Sequence, residues 1–257
     1  MYLIVGGDST IGQALAEFWE EKGVYFHAST RRKELVSDSR PFIDLQEPQL
    51  SILDSNYDGA IICAAISRLA DCESDPETSR KINVVGTYEI ARQLINAGTF
   101  VLFLSSNQVF DGEKPFRKTT DERKPINEYG KQKAEAETLI EKLTDCCILR
   151  LTKVIYPTLP LLVEWREKLG KGLEINAFTD ITLSPVNMSE VNITIAQILK
   201  EELKDIQHCS GHEDISYYEY ALIFAEQNGY PKSLIGKDSY KNNNNITFIP
   251  PRYTSLN

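Results

Sequence analysis

Residues 2–12 read YLIVGGDSTIG, an apolar run followed directly by a glycine-rich turn. The run Tyr2–Val5 is short and apolar, as expected for a buried parallel strand. Apolar residues then recur at helical spacing between Gln13 and Lys22, namely Ala14, Leu15, Phe18 and Trp19. A strand, a glycine turn and a helix in this order predict the first βα unit of a parallel sheet.

The glycine turn is the first candidate site. In such a unit the glycines allow a tight turn and let the backbone approach a pyrophosphate, whose charge lies at the helix N-terminus. The turn residues predicted to contact a dinucleotide are Gly6, Ser9, Thr10, Ile11 and Gly12. Ser9 stands where the usual pattern has its middle glycine, so the sequence leaves the affinity for that ligand open. The alternative is a turn that only connects a strand to a helix.

The segment after the second predicted strand, Val24–Ala28, distinguishes two cofactors. It reads Ser29-Thr30-Arg31-Arg32-Lys33, with no acidic residue before Glu34. Proteins that bind NAD usually carry Asp or Glu here, whereas guanidinium groups bind the 2′-phosphate of NADP. We therefore expect NADP rather than NAD, with the adenosine ribose beside Ser29, Thr30, Arg31 and Arg32. A solvated basic turn is the alternative.

Strands and helices alternate along the rest of the first 151 residues. Further strands are predicted at Gly59–Ala65, Phe100–Leu104 and Cys146–Leu151, and helices at Pro76–Asn96 and Asn127–Leu143. This order predicts a Rossmann-type α/β fold, in which right-handed crossovers build a doubly wound parallel sheet. Ligands of such sheets bind at the carboxyl ends of the strands, where the sequence places Ala64, Ala65, Ser105 and Ser106.

Tyr129 and Lys133 form the candidate catalytic pair. Four-residue spacing on a helix brings the two side chains to one face, roughly 5–6 Å apart at Cβ. A phenol with a pKa of about 10 is a poor acid at neutral pH, and a neighbouring ammonium lowers that pKa by roughly 1–3 units. The pair thus predicts general acid–base catalysis. The alternative is a solvated lysine beside a half-buried tyrosine.

Composition limits the classes of partner and compartment. The formal net charge of -9 argues against nucleic acid as a partner, and no apolar run approaches the ~20 residues of a membrane span. The chain begins with a strand and shows no signal-peptide pattern. Five cysteines without Cys-x-x-Cys spacing indicate reduced thiols, with no disulfide frame and no metal site. We expect a cytoplasmic protein.

Several blocks of sequence together resemble one family, the extended short-chain dehydrogenase/reductases, and within it the dTDP-4-dehydrorhamnose reductase branch. The blocks are the glycine turn, Cys63–Ala65, Asn83–Thr87, Ser105–Gly112, Tyr129–Lys133, Arg150, Ser184–Val186, His208–Gly211, Tyr217–Ala221 and Pro250–Leu256. The resemblance covers nearly the whole chain. It implies a dinucleotide-binding domain at residues 1–155 and a smaller substrate-binding lobe at 156–257, interleaved with the end of the sheet.

The resemblance also implies roles for residues. Tyr129 would protonate a ketone oxygen as hydride arrives from the nicotinamide, and Lys133 would bind the nicotinamide ribose and lower the tyrosine pKa. Ser106 would donate a hydrogen bond to the same carbonyl. Behind the site would lie Asn83. The resemblance also implies that Asp44 and Leu45 lie beside the adenine. The other cofactor-binding residues that it implies are Ala64, Ala65 and Ser105.

The implied function is an NADP(H)-dependent reductase of a nucleotide-linked 4-keto-6-deoxy sugar or a similar keto sugar. Departures leave alternatives open: Asn107-Gln108 replaces the family's Asp-Tyr, and Lys153 replaces an aromatic residue near the nucleotide base. One alternative is an epimerase or dehydratase of the same superfamily, against which Asn107 argues because a dehydratase needs an acid there. Another is a non-catalytic, NADP-binding regulatory subunit. The oligomeric state, a homodimer included, is left open.

Overall fold

The computed structural model describes residues 1–48, 56–242 and 250–257. Its strands are β1 (Tyr2–Val5), β2 (Phe26–Ala28), β3 (Gly59–Ile62), β4 (Phe100–Ser106), β5 (Cys146–Leu151), β6 (Lys153–Ile155), β7 (Ile175–Phe178), β8 (Thr182–Leu183), β9 (Pro185–Asn187), β10 (Asp205–Cys209), β11 (Ile215–Ser216) and β12 (Ile235–Asp238). Its α-helices are α1 (Thr10–Glu21), α2 (Leu69–Ser74), α3 (Pro76–Arg80), α4 (Thr87–Asn96), α5 (Glu128–Ile140), α6 (Pro160–Gly170), α7 (Met188–Glu201) and α8 (Tyr217–Gln227).

Six of these strands form one sheet in the order β10-β5-β4-β3-β1-β2, and every neighbouring pair is parallel. Next to the edge strand β2, Ile4 of β1 pairs with Ala28 of β2 on one side and Ile61 of β3 on the other. Because the strands are parallel, their carboxyl ends lie at one edge of the sheet. The predicted Rossmann-type α/β fold is confirmed.

Both faces of this sheet are buried. Leu3 and Val5 of β1 face a core that includes Ile90 of α4 and Ala136 of α5. Ile4, between them, is also fully buried and points to the opposite face, since side chains alternate along a strand. Helices α1 and α7 pack together there, and the Asn192 side chain donates a hydrogen bond to Ala14 O over 3.1 Å. Helices on both faces explain why the strands read as continuous apolar runs.

Element bounds differ from the predicted ones mainly at strand ends. The third strand stops at Ile62 and β4 continues to Ser106, so Ser106 is the last residue of its strand. The helix predicted from Pro76 to Asn96 is α3 and α4 joined by a π-helical segment, Lys81–Gly86. A Cβ on Gly86 would lie 1.8 Å from Leu45 O, so the chain after β2 passes directly against this segment.

The chain divides into two compact units that are discontinuous in sequence. The larger contains residues 1–110, 122–151 and 188–209, and the smaller contains 111–121, 152–187 and 210–257. This division differs from a boundary after residue 155 in three segments, of which the shortest, residues 152–155, belongs to the smaller unit. Residues 188–209 belong to the larger unit because β10 pairs with β5 of the sheet, and residues 111–121 belong to the smaller one.

The smaller unit has a core of its own. Helices α6 and α8 pack beside the parallel pair β7 and β12, and the rings of Trp165 and Phe224 meet with centroids 5.7 Å apart. The C-terminal segment is held by the carboxylate of Asp214, which accepts hydrogen bonds from the backbone and side chains of Thr254 and Ser255. The block Pro250–Leu256, which resembles part of the family's sequence, is thus bound within this unit.

Across the described ranges, no helix combines the length and the apolar character that crossing a membrane requires.

Candidate active site

The glycine turn between β1 and α1 is closed by contacts that a side chain would block. Gly6 has a φ of +91°, and a Cβ there would lie 2.6 Å from the amide nitrogen of Ala64. A Cβ on Gly12 would lie 2.3 Å from Gly6 O. Ser9 caps α1, because its Oγ accepts a hydrogen bond from the Gly12 amide over 3.1 Å. Serine at the middle position therefore supports the helix start without opening the turn.

A cavity of about 190 Å³ opens beside this turn, at the carboxyl ends of β1, β2 and β3. The predicted cofactor-binding residues that line it are Gly6, Ser9, Ser29, Thr30, Arg31, Leu45, Ala64 and Ala65. The lining residues that sequence reasoning missed are Asp8, Ile43, Ile66 and Ile82. One wall is therefore polar and the other is apolar, a combination that fits a nucleotide with its phosphate at the turn and its base among the isoleucines.

Asp8 brings a carboxylate to the end of β2. Its Oδ1 accepts hydrogen bonds from Arg32 over 2.7 Å and from Arg40 over 2.5 Å. Its Oδ2 accepts one from the Thr30 hydroxyl over 2.6 Å. Burial alone would raise the pKa of Asp8, but the hydrogen bonds from these three partners hold it well below its usual range. The sequence shows no acid between Ser29 and Glu34, and the fold supplies one from the glycine turn.

The two arginines predicted to bind a 2′-phosphate are in different situations. Arg31 lines the cavity, and among the described residues it has no ion-pair partner. Arg32 does not line the cavity and is paired with Asp8. The chain bends at Arg31, between the end of β2 and the 3₁₀ turn Lys33–Leu35, so the two side chains have different surroundings.

Other predicted residues lie outside the cavity lining: Thr10, Ile11, Gly12, Arg32, Asp44, Asn83, Ser105, Tyr129 and Lys133. Asp44 accepts a hydrogen bond from the Gln46 amide over 2.9 Å, so its carboxylate closes a local turn. Its contact with adenine stays a prediction.

Asn83 is fully buried and holds the loop that follows β3. Its side chain accepts a hydrogen bond from Ile66 N over 2.8 Å and donates one to Ile66 O over 2.9 Å. It also donates to Gln132 of α5 over 2.8 Å. Because Ile66 lines the cavity, Asn83 acts on the cavity through the loop rather than by direct contact.

Ser106 lies at the carboxyl end of β4 and starts a 3₁₀ turn, Asn107–Val109. Its Oγ accepts a hydrogen bond from Gln108 N over 3.2 Å and donates one to Asn107 Oδ1 over 3.3 Å. Gln108 in turn accepts a hydrogen bond over 2.7 Å from Asn127, the N-cap residue of α5. The residues that depart from the family's Asp-Tyr thus tie the candidate catalytic serine to the start of the candidate catalytic helix.

Tyr129 and Lys133 lie in successive turns of α5, as the spacing predicted. Lys133 is buried, and its Nζ lies 5.8 Å from the centre of the Tyr129 ring and 4.5 Å from that of Phe103. The same Nζ donates a hydrogen bond to Leu104 O over 2.8 Å. The lysine therefore joins α5 to β4 two residues before Ser106.

The electrostatics of the pair differ from the expected effect of lysine on tyrosine. Burial, with a smaller contribution from Cys72, raises the pKa of Tyr129, whereas we expected Lys133 to lower it. Burial lowers the pKa of Lys133 to about 8, and Glu137 opposes this shift. The expectation was wrong because both groups lose hydration, and that loss disfavours the phenolate of Tyr129 and the ammonium of Lys133 alike.

One turn beyond Lys133, Glu137 is fully buried in an ion-pair network. Its carboxylate accepts hydrogen bonds from the buried Arg150 over 2.7 and 3.0 Å and from Arg123 over 3.0 Å. It also accepts one from the Ser105 hydroxyl over 2.5 Å. Ser105 is therefore occupied by a structural contact, and the network locks the end of β4 against α5.

A metal site would require a cluster of His, Cys, Asp or Glu side chains. Over the described ranges no group of three or more such side chains is arranged to hold an ion.

The sequence matches the model of a known protein family. A family model described as "RmlD substrate binding domain" matches residues 1–247. The chain belongs to this family. Membership in the RmlD substrate binding domain family confirms the resemblance to the dTDP-4-dehydrorhamnose reductase branch.

Relatives of this RmlD family member carry two different descriptions. The methionine adenosyltransferase 2 subunit beta of Xenopus tropicalis is 27% identical over 255 residues, with 90% of this chain and 73% of that protein covered. The dTDP-4-dehydrorhamnose reductase of Aggregatibacter actinomycetemcomitans is 28% identical over 235 residues, with 88% and 78% covered. The crystal structure of dTDP-4-dehydrorhamnose reductase from Bacillus anthracis, in complex with NADP, superposes with a TM-score of 0.88 at 18% identity over 100% of this chain and 89% of that one.

Proposed function

We propose that this chain is an NADP(H)-dependent reductase that transfers hydride to the ketone of a nucleotide-linked 4-keto-6-deoxy sugar or a similar keto sugar. The observation that carries the proposal is the position of Tyr129 and Lys133 on α5, with the lysine bonded to the strand that ends at Ser106. The relative described as a dTDP-4-dehydrorhamnose reductase supports the substrate class.

The residues at the glycine turn fit a dinucleotide. Gly6 lets the turn pack directly against Ala64, the capped N-terminus of α1 faces the turn, and Ser9 lines the cavity. Backbone amides and the helix dipole at such a terminus favour a pyrophosphate. Arg31, which lines the cavity, would hold the 2′-phosphate of NADP. When bound, the cofactor supplies the hydride.

The chain's own groups supply the proton and the charge stabilisation. The Ser106 hydroxyl would turn from Asn107 Oδ1 to donate a hydrogen bond to the ketone oxygen. Tyr129 would transfer its hydroxyl proton to the same oxygen, which becomes the alcohol of the product, and the tyrosine would be left as phenolate. Its raised pKa keeps the proton-bearing form populated at neutral pH. The Lys133 ammonium would stabilise that phenolate and bind the nicotinamide ribose.

The smaller unit is assigned to the sugar nucleotide. Its β6, which begins at Lys153, pairs with β9, whose first residue, Pro185, belongs to a block that resembles the family. Lys153 stands where the family places an aromatic residue near the nucleotide base, and it is exposed at the start of β6. The replacement of a stacking ring by an amine points to a nucleotide or sugar that differs from the family's usual one.

A second candidate function is a cofactor-binding subunit without turnover. The observation in its favour is the relative described as methionine adenosyltransferase 2 subunit beta, which aligns over 90% of this chain. Against it stands the presence of Ser106, Tyr129 and Lys133 together.

An activity assay combined with a binding measurement distinguishes the two functions. Purified protein is mixed with NADPH and a panel of dTDP- and UDP-linked 4-keto-6-deoxy sugars, and loss of NADPH absorbance is followed. Reduction of at least one sugar to its alcohol, identified by mass spectrometry, supports the reductase. Tight NADPH binding by calorimetry with no oxidation across the panel supports the subunit.

A further inference from the structure

We propose that Asp8 sets how strongly this chain discriminates between NADP and NAD. Its carboxylate stands at the place where a ribose 2′-hydroxyl or 2′-phosphate would be recognised, and it limits the preference for the phosphate. The proposal rests on the proposed use of a nicotinamide dinucleotide.

The position of Asp8 is the first step. Asp8 lines the same cavity as Ser29, Thr30 and Arg31, the segment at the end of β2. Its Oδ2 is bonded to the Thr30 hydroxyl over 2.6 Å, so the carboxylate belongs to that segment in space although it lies in the glycine turn. Proteins that bind NAD place an acid here to accept hydrogen bonds from the ribose hydroxyls. In this chain the acid comes from the glycine turn after β1 instead of from the end of β2.

The second step is the charge that Asp8 holds. Arg32 and Arg40 both donate to its Oδ1, at 2.7 and 2.5 Å, so two of the nearby guanidinium groups are directed at a carboxylate. Both cations are partly exposed, with 52% of the Arg32 side-chain surface and 35% of the Arg40 side-chain surface accessible. A charge-assisted bond already made to Asp8 must be lost before either cation can bind a phosphate. Arg31 alone faces the cavity free of an ion pair within the described residues.

The third step compares the two ligands. A ribose hydroxyl can donate to a carboxylate, whereas a 2′-phosphate is itself an anion and is repelled by one at short range. Arg31 favours NADP and Asp8 opposes it. The net preference is the difference of the two effects. Removing the Asp8 charge should therefore strengthen binding of the phosphate-bearing ligand without strengthening binding of the other.

Two adenosine fragments isolate this contact from the nicotinamide end. We would titrate 2′,5′-ADP, which carries the 2′-phosphate, and 5′-AMP, which lacks it, into the wild-type chain and Asp8→Asn by calorimetry. Asp8→Asn should tighten 2′,5′-ADP on the order of tenfold, which corresponds to about 1.4 kcal/mol, and leave 5′-AMP unchanged or weaker. Asp8→Ser is a second variant. Like Asp8→Asn it removes the charge, but it changes the hydrogen bonds to Thr30 and the arginines in another way, so an effect common to both variants reports the charge.

The matched control is Asp145→Asn, which removes one negative charge and the exposed pair with Lys204 far in sequence from the glycine turn. Both fragments should bind this control as they bind wild type, and melting temperatures report whether each variant is folded. The decisive quantity is the affinity for 2′,5′-ADP divided by the affinity for 5′-AMP. If both Asp8 variants bind both fragments and this ratio stays within twofold of the wild-type ratio, the role of Asp8 is overturned and the proposed function stands. Weaker 2′,5′-ADP binding in folded Asp8→Asn also overturns it, because Asp8 would then be orienting arginines for the phosphate. Failure of every protein to bind either fragment overturns the proposed function and the inference together.

Discussion

The ammonium of Lys133 donates a hydrogen bond to the carbonyl oxygen of Leu104 over 2.8 Å. This bond joins the middle of α5 to β4, two residues before Ser106. The candidate catalytic lysine therefore also sets the distance between the helix and the strand. Burying the ammonium in this contact lowers its pKa to about 8. A single side chain thus couples the position of the site to its charge.

The first prediction concerns proton transfer. Tyr129→Phe keeps the ring and its packing but removes the hydroxyl, so kcat on a turned-over substrate should fall by roughly 10²–10⁴ while NADPH affinity stays near that of wild type. Single-turnover oxidation of NADPH measures the effect. Tyr88→Phe, on α4, is the matched control and should behave as wild type. Hydride transfer within a few-fold of wild type in Tyr129→Phe would exclude the assigned role.

The second prediction concerns the cofactor phosphate. The wild-type chain should bind NADPH more tightly than NADH, and Arg31→Ala should weaken NADPH by roughly 1.5–3 kcal/mol with little effect on NADH. Fluorescence titration with both cofactors tests this. Arg92→Ala, which removes a surface pair with Glu89, should leave both affinities unchanged. Equal loss of NADPH and NADH binding in Arg31→Ala would contradict a phosphate-specific contact.

The third prediction concerns stability and pH. The pKa of Lys133 falls from 10.5 to about 8 on folding, so between these values the unfolded chain binds more protons than the folded one. The free energy of unfolding of wild type should therefore rise with pH relative to Lys133→Met, by about 1–2 kcal/mol between pH 8 and pH 10.

Urea unfolding of the two proteins across that pH range gives the difference directly. Buried thiols such as Cys147, whose pKa burial raises to about 12, lower stability over the same range, but they are present in both proteins and cancel. The pKa of Cys63 depends on Lys133, so both proteins carry Cys63→Ala in this comparison. A flat or falling difference would show that Lys133 is not neutralised by burial.

The fourth prediction concerns the buried ion pair beneath the site. Glu137→Gln leaves the guanidinium of Arg150 buried without its carboxylate, which should lower the free energy of unfolding by roughly 3–5 kcal/mol. Glu141→Gln removes only the partly exposed second ion pair of Arg123 and should cost about 0–1 kcal/mol. Thermal or urea unfolding compares the two variants. Similar, small losses in both would mean that solvent reaches Glu137.

Local patterns in the sequence determined the sheet, the glycine turn and the helical pair Tyr129 and Lys133. Each of these depends on residues close together in the chain, where spacing alone fixes which side chains share a face. The strand Cys146–Leu151 was predicted with its observed bounds for this reason. Membership in the family followed from several such blocks read together.

Only the tertiary structure decided the electrostatics. Asp8 and Arg32 lie 24 residues apart, and no local pattern links them, so the acid at the end of β2 becomes visible only once β1 and β2 pair. The pKa of Tyr129 likewise depends on how much water the folded chain removes from it, not on the spacing to Lys133. Periodicity determines which residues face one another along an element, whereas charge depends on desolvation and on partners brought together from distant parts of the chain.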